Sequence, residues 1–195
     1  ERSQMENMEI NLKGKTVLVT GGAGFIGSHV VDRLVEQGAR VIVVDNLSSG
    51  RKENVNSQVA FYQADARDAQ KLQEVFQKEV PTAVFHLAAQ PLVEHAYENP
   101  LETLEANIMG TANILEACRK QGDLEAIVVV SSDKAYGKSK TLPYTEDMPV
   151  GGDHPYEVSK SCADLIAQMY HNTYGLPVAI LRCGNIFGGG DLNWS

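Results

Sequence analysis

Short apolar runs rich in β-branched residues alternate along this chain of 195 residues with longer segments in which apolar residues recur at helical spacing. The runs occupy residues 16–20, 41–44, 59–62, 83–87, 127–130 and 178–182. Four helices are expected between them: one ending at Gly38, one before Pro81, one over residues 100–120 and one over residues 156–174. The pattern predicts an α/β fold, a doubly wound parallel sheet with flanking helices, because strands alternating with helices form right-handed βαβ units.

Composition and charge exclude several classes of protein. Hydrophobic residues make up 43% of the chain and charged residues 22%, ordinary values for one globular domain. The net charge of −8 argues against nucleic-acid binding, which usually requires a basic face. No apolar run approaches the ~20 residues of a membrane span, and the chain starts without the apolar stretch of a signal peptide. We therefore expect a cytoplasmic protein without membrane contact, and the histidine and cysteine spacing predicts no metal site.

A glycine-rich turn, TGGAGFIG, joins the first strand to the first helix. Gly21 permits the tight turn, Gly24 lets a phosphate approach the backbone, and Gly27 lets the helix pack against the strand. The amides of the first helical turn, at Phe25, Ile26 and Gly27, would then face an anion. The turn predicts a site for the pyrophosphate of a dinucleotide.

Two acidic residues follow the second and third strands. Asp45 ends the second strand, where a carboxylate would bind the ribose hydroxyls of a dinucleotide and repel a 2′-phosphate, which favours NAD over NADP. Arg51 argues in the opposite direction. Asp65 either binds an adenine amino group or caps the next helix, and spacing alone leaves both open. Asn46 and Ala66, their neighbours, are assigned to the same cofactor site.

Tyr156 and Lys160 stand four residues apart, on one face of a predicted helix. A phenol has a pKa near 10 and is a poor base at neutral pH, but a nearby ammonium lowers that pKa. Such a pair could take a proton from a sugar hydroxyl while hydride leaves the same carbon. Ser131 and Ser132 follow the fifth strand and should lie at the same edge of the sheet. The irregular stretch 137–155 is the expected site loop.

Four segments together resemble the extended short-chain dehydrogenases/reductases that modify nucleotide sugars. They are TGGAGFIG, HLAAQ at residues 86–90, SSDKAYG at residues 131–137 and YEVSK at residues 156–160. The resemblance implies a Rossmann sheet and tightly held NAD in a redox-neutral cycle. It also implies that Ser132 hydrogen-bonds the sugar 4-hydroxyl, that Tyr156 is the base, and that Lys160 tunes Tyr156 and holds the nicotinamide ribose.

The resemblance implies further contacts and a domain division. The residues assigned by it to the cofactor are Leu87, Ala88, Ala89, Gln90 and Asn107, and Asn185 is assigned to the sugar nucleotide. Residues 14–195 are interpreted as an NAD-binding domain that carries the catalytic residues but lacks the C-terminal substrate lobe, which predicts that it is inactive alone. Residues 1–13 are interpreted as an extension, in part an artificial addition. A homodimer is also expected.

The residue after Ser132 separates two reactions within this family. In 4,6-dehydratases an aspartate protonates the leaving 6-hydroxyl, whereas the related 4-epimerases usually carry a small or neutral residue there. This chain has Asp133 followed by Lys134, which resembles the enzymes acting on CDP-glucose, so CDP-glucose is the favoured substrate. Lys134 either stabilises negative charge at C4 or acts as a base after burial, and its role stays open.

Three features of the sequence weaken the assignment to CDP-glucose, and two of them favour the alternative, an NAD-dependent UDP-hexose 4-epimerase. Glu94 stands where the dehydratases suggest arginine, and both the Tyr136 and Gly137 pair and the segment VDNLSSG are typical of epimerases. A non-catalytic NAD-binding interaction module is the second alternative, against which the intact set of Ser132, Tyr156 and Lys160 argues.

Overall fold

A computed structural model describes residues 12–139 and 142–191 of the chain. Its six strands form one parallel sheet in the order β3-β2-β1-β4-β5-β6. The strands are β1 (Thr16–Thr20), β2 (Arg40–Asp45), β3 (Ala60–Gln63), β4 (Ala83–His86), β5 (Ala126–Ser132) and β6 (Val178–Cys183). The predicted doubly wound sheet is confirmed, and each strand lies within two residues of its expected ends. Most of the predicted extension and the last four residues, 192–195, lie outside the described residues.

Six α-helices accompany the strands in the described part of the chain, and one of them was not predicted. The helices are α1 (Phe25–Glu36), α2 (Ala69–Glu79), α3 (Val93–Glu98), α4 (Pro100–Leu104), α5 (Gly110–Gln121) and α6 (Pro155–Tyr174). The predicted helix over residues 100–120 is present, but a π-helical turn (Glu105–Met109) within it separates α4 from α5. The short helix α3 was missed. None of the described helices is long and apolar enough to cross a membrane.

The core lies on both faces of the sheet, which explains the continuous apolar runs of its central strands. On one face, strand residues such as Leu18, Ile42 and Val84 pack against α2, α5 and α6. On the other, the alternate residues of β1 and β2 pack against Val31 and Leu34 of α1.

The carboxyl ends of the strands bring the candidate site together. The sheet order reverses between β1 and β4, and such a reversal opens a crevice in which doubly wound proteins bind ligands. Thr20, Asp45, His86 and Ser132 each end a strand at this edge.

Candidate active site

The glycine turn between β1 and α1 is required by the packing of the chain itself. Gly21 has φ 72°, and a Cβ there would lie 2.7 Å from the backbone nitrogen of Ala88. A Cβ at Gly27 would lie 2.0 Å from the carbonyl oxygen of Gly21, so only glycine lets α1 approach this closely. Gly24 is the N-cap of α1, and among the described residues no side chain caps that helix and its first turn holds no acidic group. The first-turn amides are therefore suited to an anion.

Asp45 ties the glycine turn to the loop after β2. Its carboxylate is buried, with one oxygen accepting a hydrogen bond from the Ala23 amide at 2.9 Å and the other from the Leu47 amide at 2.8 Å. Each carboxylate oxygen can accept a further hydrogen bond. The geometry is compatible with the predicted ribose contact.

Asp65 lies in a small polar cluster after β3. It accepts hydrogen bonds from the Asn46 amide group at 2.9 Å and from the backbone and guanidinium of Arg67. The guanidinium is the main reason that the pKa of Asp65 falls to about 2. Asp68, not Asp65, caps α2 by accepting from the Lys71 amide, so the helix-cap interpretation of Asp65 is wrong.

Asn107 fastens the loop after β4 to helix α6. It is buried on the π-helical turn, and its side-chain oxygen accepts from the Gln90 amide at 2.7 Å. Its side-chain nitrogen donates to the Gln90 carbonyl at 3.2 Å and to the Ser159 hydroxyl at 2.9 Å. The π-helical turn thus holds the loop that contains Leu87, Ala88 and Ala89 against α6.

The structure places Tyr156 beside Ser132, and Lys160 follows one turn along α6 with its ammonium at Val130, two residues before Ser132. The Ser132 hydroxyl acts on the buried Tyr156 phenol, whose pKa it lowers, and the buried Lys160 ammonium donates to the Val130 carbonyl at 3.3 Å. Burial lowers the pKa of Lys160 to about 8.

The phenol of Tyr156 does not show the lowered pKa expected beside an ammonium. Burial raises the pKa of Tyr156; the hydrogen bond with Ser132 lowers it, and the nearby Asp133 carboxylate raises it. The expected lowering is wrong for the polypeptide alone, because desolvation of the phenolate outweighs the lowering by Ser132.

A single 3₁₀ turn, Asp133–Tyr136, follows Ser132 and carries the two residues that separate the candidate reactions. The Ser132 hydroxyl donates to the Asp133 carboxylate at 3.2 Å and accepts from the Lys134 amide at 3.2 Å. The charged groups of Asp133 and Lys134 lie 3.9 Å apart, with both side chains partly open to solvent. The buried Ser131 hydroxyl has no hydrogen-bond partner among the described residues. Asn185 is exposed beyond the end of β6, whose last residue pairs with Ser132.

A buried chain of hydrogen bonds beneath the site was missed by sequence reasoning. His86 contacts the Thr20 hydroxyl at 2.7 Å and the Thr111 hydroxyl at 3.0 Å, and the Thr20 hydroxyl accepts from the Ala88 amide. Burial, followed by the charge of Lys160, lowers the pKa of His86 to about 3, which keeps it neutral. The position of His86 at a strand end was the one available signal.

Asn113 is a second residue that sequence reasoning missed, and it has no sequence signal. Its amide donates to the carbonyls of Ala66 and Arg67, at 3.1 and 3.0 Å, and so fixes the loop after β3 to α5.

Fold and site together define a short-chain dehydrogenase/reductase with a Rossmann-type sheet. Its marks are a glycine turn at the reversal of the sheet and a Ser–Tyr–Lys cluster in the same crevice. The chain belongs to the NAD-dependent epimerase/dehydratase family, whose model matches residues 17–193. This confirms the family and the cofactor class expected from the sequence.

Relatives of both reaction types are similar to this chain. A putative UDP-glucose 4-epimerase of Methanocaldococcus jannaschii is 43% identical over 173 residues, which cover 88% of this chain and 56% of that protein. A CDP-glucose 4,6-dehydratase of Salmonella typhimurium is 38% identical over 194 residues, covering 92% and 54%. The chain thus spans about half the length of these relatives.

Solved structures give the same picture. UDP-glucose 4-epimerase of Thermotoga maritima with UDP-glucose is 39% identical, with a TM-score of 0.85, and the match covers 89% of this chain and 56% of that one. The dTDP-glucose 4,6-dehydratase DesIV of Streptomyces venezuelae, which holds NAD, is 35% identical, with a TM-score of 0.83 and coverage of 89% and 57%. The chain is therefore a member of a family of nucleotide-sugar enzymes in which both reactions occur.

Proposed function

We propose that the protein containing this chain is a nucleotide-sugar 4,6-dehydratase. It converts an NDP-glucose, with CDP-glucose favoured, to the NDP-4-keto-6-deoxyglucose and water. The observation that carries the proposal is the Asp133 carboxyl, which lies 3.2 Å from the Ser132 hydroxyl and close enough to Tyr156 to affect its pKa. Loss of water requires a proton donor for the leaving 6-hydroxyl, and inversion at C4 does not.

The residues of the crevice fit NAD. The first-turn amides of α1, with Gly24 at the N-cap, would hold the pyrophosphate, and Asp45 would hold the adenosine ribose. Asp65, Asn46 and the loop fastened by Asn107 would complete the site. When bound, NAD supplies the acceptor and donor of hydride for a redox-neutral cycle.

The first proton transfer in the proposed reaction belongs to Tyr156. Its phenolate takes the proton of the sugar 4-hydroxyl, while Ser132 hydrogen-bonds the same oxygen. Because burial raises the pKa of Tyr156, this step depends on positive charge nearby, and Lys160 is the buried cation one helical turn along. Lys160 would also hold the nicotinamide ribose.

The second stage is the loss of water across C5 and C6. A ketone at C4 acidifies the C5 proton, which passes to water at this partly solvent-open turn while Asp133 gives its own proton to the leaving 6-hydroxyl. Return of hydride to C6 and of a proton to C5 would then give the methyl group of the product. Lys134 is half exposed beside Asp133, which supports electrostatic stabilisation of the negative charge that develops at C4.

The direct test is to incubate the complete natural polypeptide with the CDP-, UDP-, dTDP- and GDP-glucoses and follow the products by NMR. A new C6 methyl signal supports the dehydratase, and the nucleotide that gives it identifies the substrate. Inversion at C4 without a methyl signal would instead establish the 4-epimerase, which Tyr136, Gly137 and the many relatives named as epimerases favour.

The Asp133→Asn variant tests the acid. We expect it to keep oxidation at C4 but to slow water loss by about 10²-fold, as for removal of a general acid. Asp147→Asn is the matched control, because it removes the same charge from an exposed turn in the site loop. Unchanged elimination in the Asp133 variant would exclude Asp133 from the mechanism.

The remaining expectations are proposals about the whole protein. A homodimer is supported by the exposed apolar side chains Leu101 on α4 and Leu165 and Met169 on α6, and sedimentation of the complete polypeptide would test it. We also propose that the protein is cytoplasmic and that the 195 residues alone do not convert substrate. If Tyr156→Phe left function in cells unaltered, the non-catalytic module would be the better account.

A further inference from the structure

A buried ion pair joins α6 to β6 behind the 3₁₀ turn Asp133–Tyr136. The Asp164 carboxylate is fully buried and accepts from Arg182 Nε at 2.7 Å and Nη2 at 3.0 Å. Gln168 donates a further hydrogen bond to it at 2.6 Å. Two parallel bonds hold the guanidinium in one plane and one orientation.

The third guanidinium nitrogen of Arg182, Nη1, reaches the turn Asp133–Tyr136 itself. Nη1 donates to the Tyr136 hydroxyl at 2.9 Å and to the Glu146 carbonyl at 3.0 Å, and the guanidinium carbon lies 4.9 Å from the centre of the Tyr136 ring. The Tyr136 ring is also held by Tyr144, on which it stacks with ring centres 4.9 Å apart. The Tyr136 side chain therefore has a fixed position relative to α6 and β6.

Tyr136 is the last residue of the turn that begins with Asp133. The middle of the turn is anchored as well, because the Ala135 carbonyl accepts from the Gly151 amide at 2.8 Å and from the Ser161 hydroxyl at 3.0 Å. Among the described residues, the Asp133 carboxylate accepts one hydrogen bond, from the Ser132 hydroxyl at 3.2 Å, and its position depends on the rest of the turn.

We infer that Arg182, held by Asp164, is a positioning residue that acts through Tyr136 to aim the Asp133 carboxyl at the sugar. The inference rests on the proposed dehydratase and deepens it. It assigns the network of hydrogen bonds that joins Asp164, Arg182 and Tyr136 to the elimination stage. Oxidation at C4 uses Ser132 and residues of α6 outside the turn.

The variant that tests this is Tyr136→Phe, which keeps the ring and its stacking but removes the hydroxyl that Arg182 holds. In the complete polypeptide with CDP-glucose, we expect single-turnover oxidation, followed by the absorbance of reduced nicotinamide, to stay within about twofold of the unmodified protein. Release of the methyl-bearing product should slow by about five- to tenfold, the effect of one lost hydrogen bond.

Gln168→Met is the matched control, because it removes a hydrogen bond from the same buried carboxylate without touching the turn. A purely structural network predicts that both variants lose stability and that neither changes the ratio of elimination to oxidation. Slowing of both stages alike in Tyr136→Phe, or of elimination in Gln168→Met as well, would overturn the inference.

A crystal structure of Tyr136→Phe separates this inference from the proposed function. The inference requires the contact between Ser132 and Asp133 to lengthen or break, and an unchanged contact refutes it. If the unmodified protein gives no methyl product, the dehydratase proposal fails and the role in elimination fails with it, whereas the crystal structure still decides whether Arg182 and Tyr136 hold Asp133 in place.

Discussion

Replacement of Lys160 by methionine is expected to stabilise the nucleotide-free protein at neutral pH and to remove the activity proposed for the complete polypeptide. The ammonium is buried, and burial lowers its pKa from 10.5 to about 8. Since one pKa unit corresponds to about 1.4 kcal/mol, the charged form destabilises the folded state by about 3 kcal/mol at pH 7. Methionine has a similar length and no charge, so it removes this cost.

The pH dependence identifies the cause. The folded protein binds the proton on Lys160 less tightly than the unfolded chain, so the cost is full below about pH 8 and disappears by about pH 10.5. Loss of the hydrogen bond to the Val130 carbonyl offsets about 1 kcal/mol at any pH. The net gain should be about 2 kcal/mol at pH 7 and close to zero at about pH 9.5.

Urea unfolding of both proteins at the two pH values measures this gain. Lys71→Met is the control, because Lys71 is an exposed lysine whose pair with Glu74 contributes less than about 1 kcal/mol. A difference between the Lys160 variant and the unmodified protein that does not change with pH would refute the reasoning, as would destabilisation at pH 7.

Three further predictions concern the cofactor crevice. Gly27→Ala should abolish NAD binding by calorimetry and lower stability by more than about 3 kcal/mol, since its Cβ meets a carbonyl oxygen at 2.0 Å, whereas Gly184→Ala, with open space around it, should change neither. Asn107→Leu should cost about 2–4 kcal/mol in urea unfolding and weaken NAD binding, because it leaves the partly buried Gln90 amide and the buried Ser159 hydroxyl without this partner, and an unchanged affinity would contradict this. Arg67→Met should raise the pKa of Asp65 from about 2 toward 4, observed by carboxyl NMR titration; a pKa that stays near 2 would exclude Arg67 as the cause.

Much of the fold could be predicted because its signals are local. The alternation of strands and helices follows from apolar periodicity, and the glycine turn follows from three residues with fixed spacing. The four-residue separation of Tyr156 and Lys160 places them on one helical face wherever that helix packs. The hydrogen bond between Asn107, on the π-helical turn, and Ser159 escaped prediction because the two residues are 52 positions apart in the sequence.

The electrostatics of the site could not be read in the same way. The Tyr156 phenol and the Lys160 ammonium are natural partners by spacing, but burial dominates both pKa values in the folded chain. Burial is a property of everything packed around a side chain, and no short segment encodes it.

The sequence by itself determined the order of strands and helices along the chain, the glycine turn and the identity of the reactive side chains. Each of these depends on residues close in sequence. Only the tertiary structure decided that Arg182 reaches Tyr136 across 46 residues and that His86 stays neutral between two threonines. Those contacts exist because the parallel order of the sheet sets β5 beside β6 and β1 beside β4, and hydrogen bonds of a few ångströms form only once distant segments have been brought together.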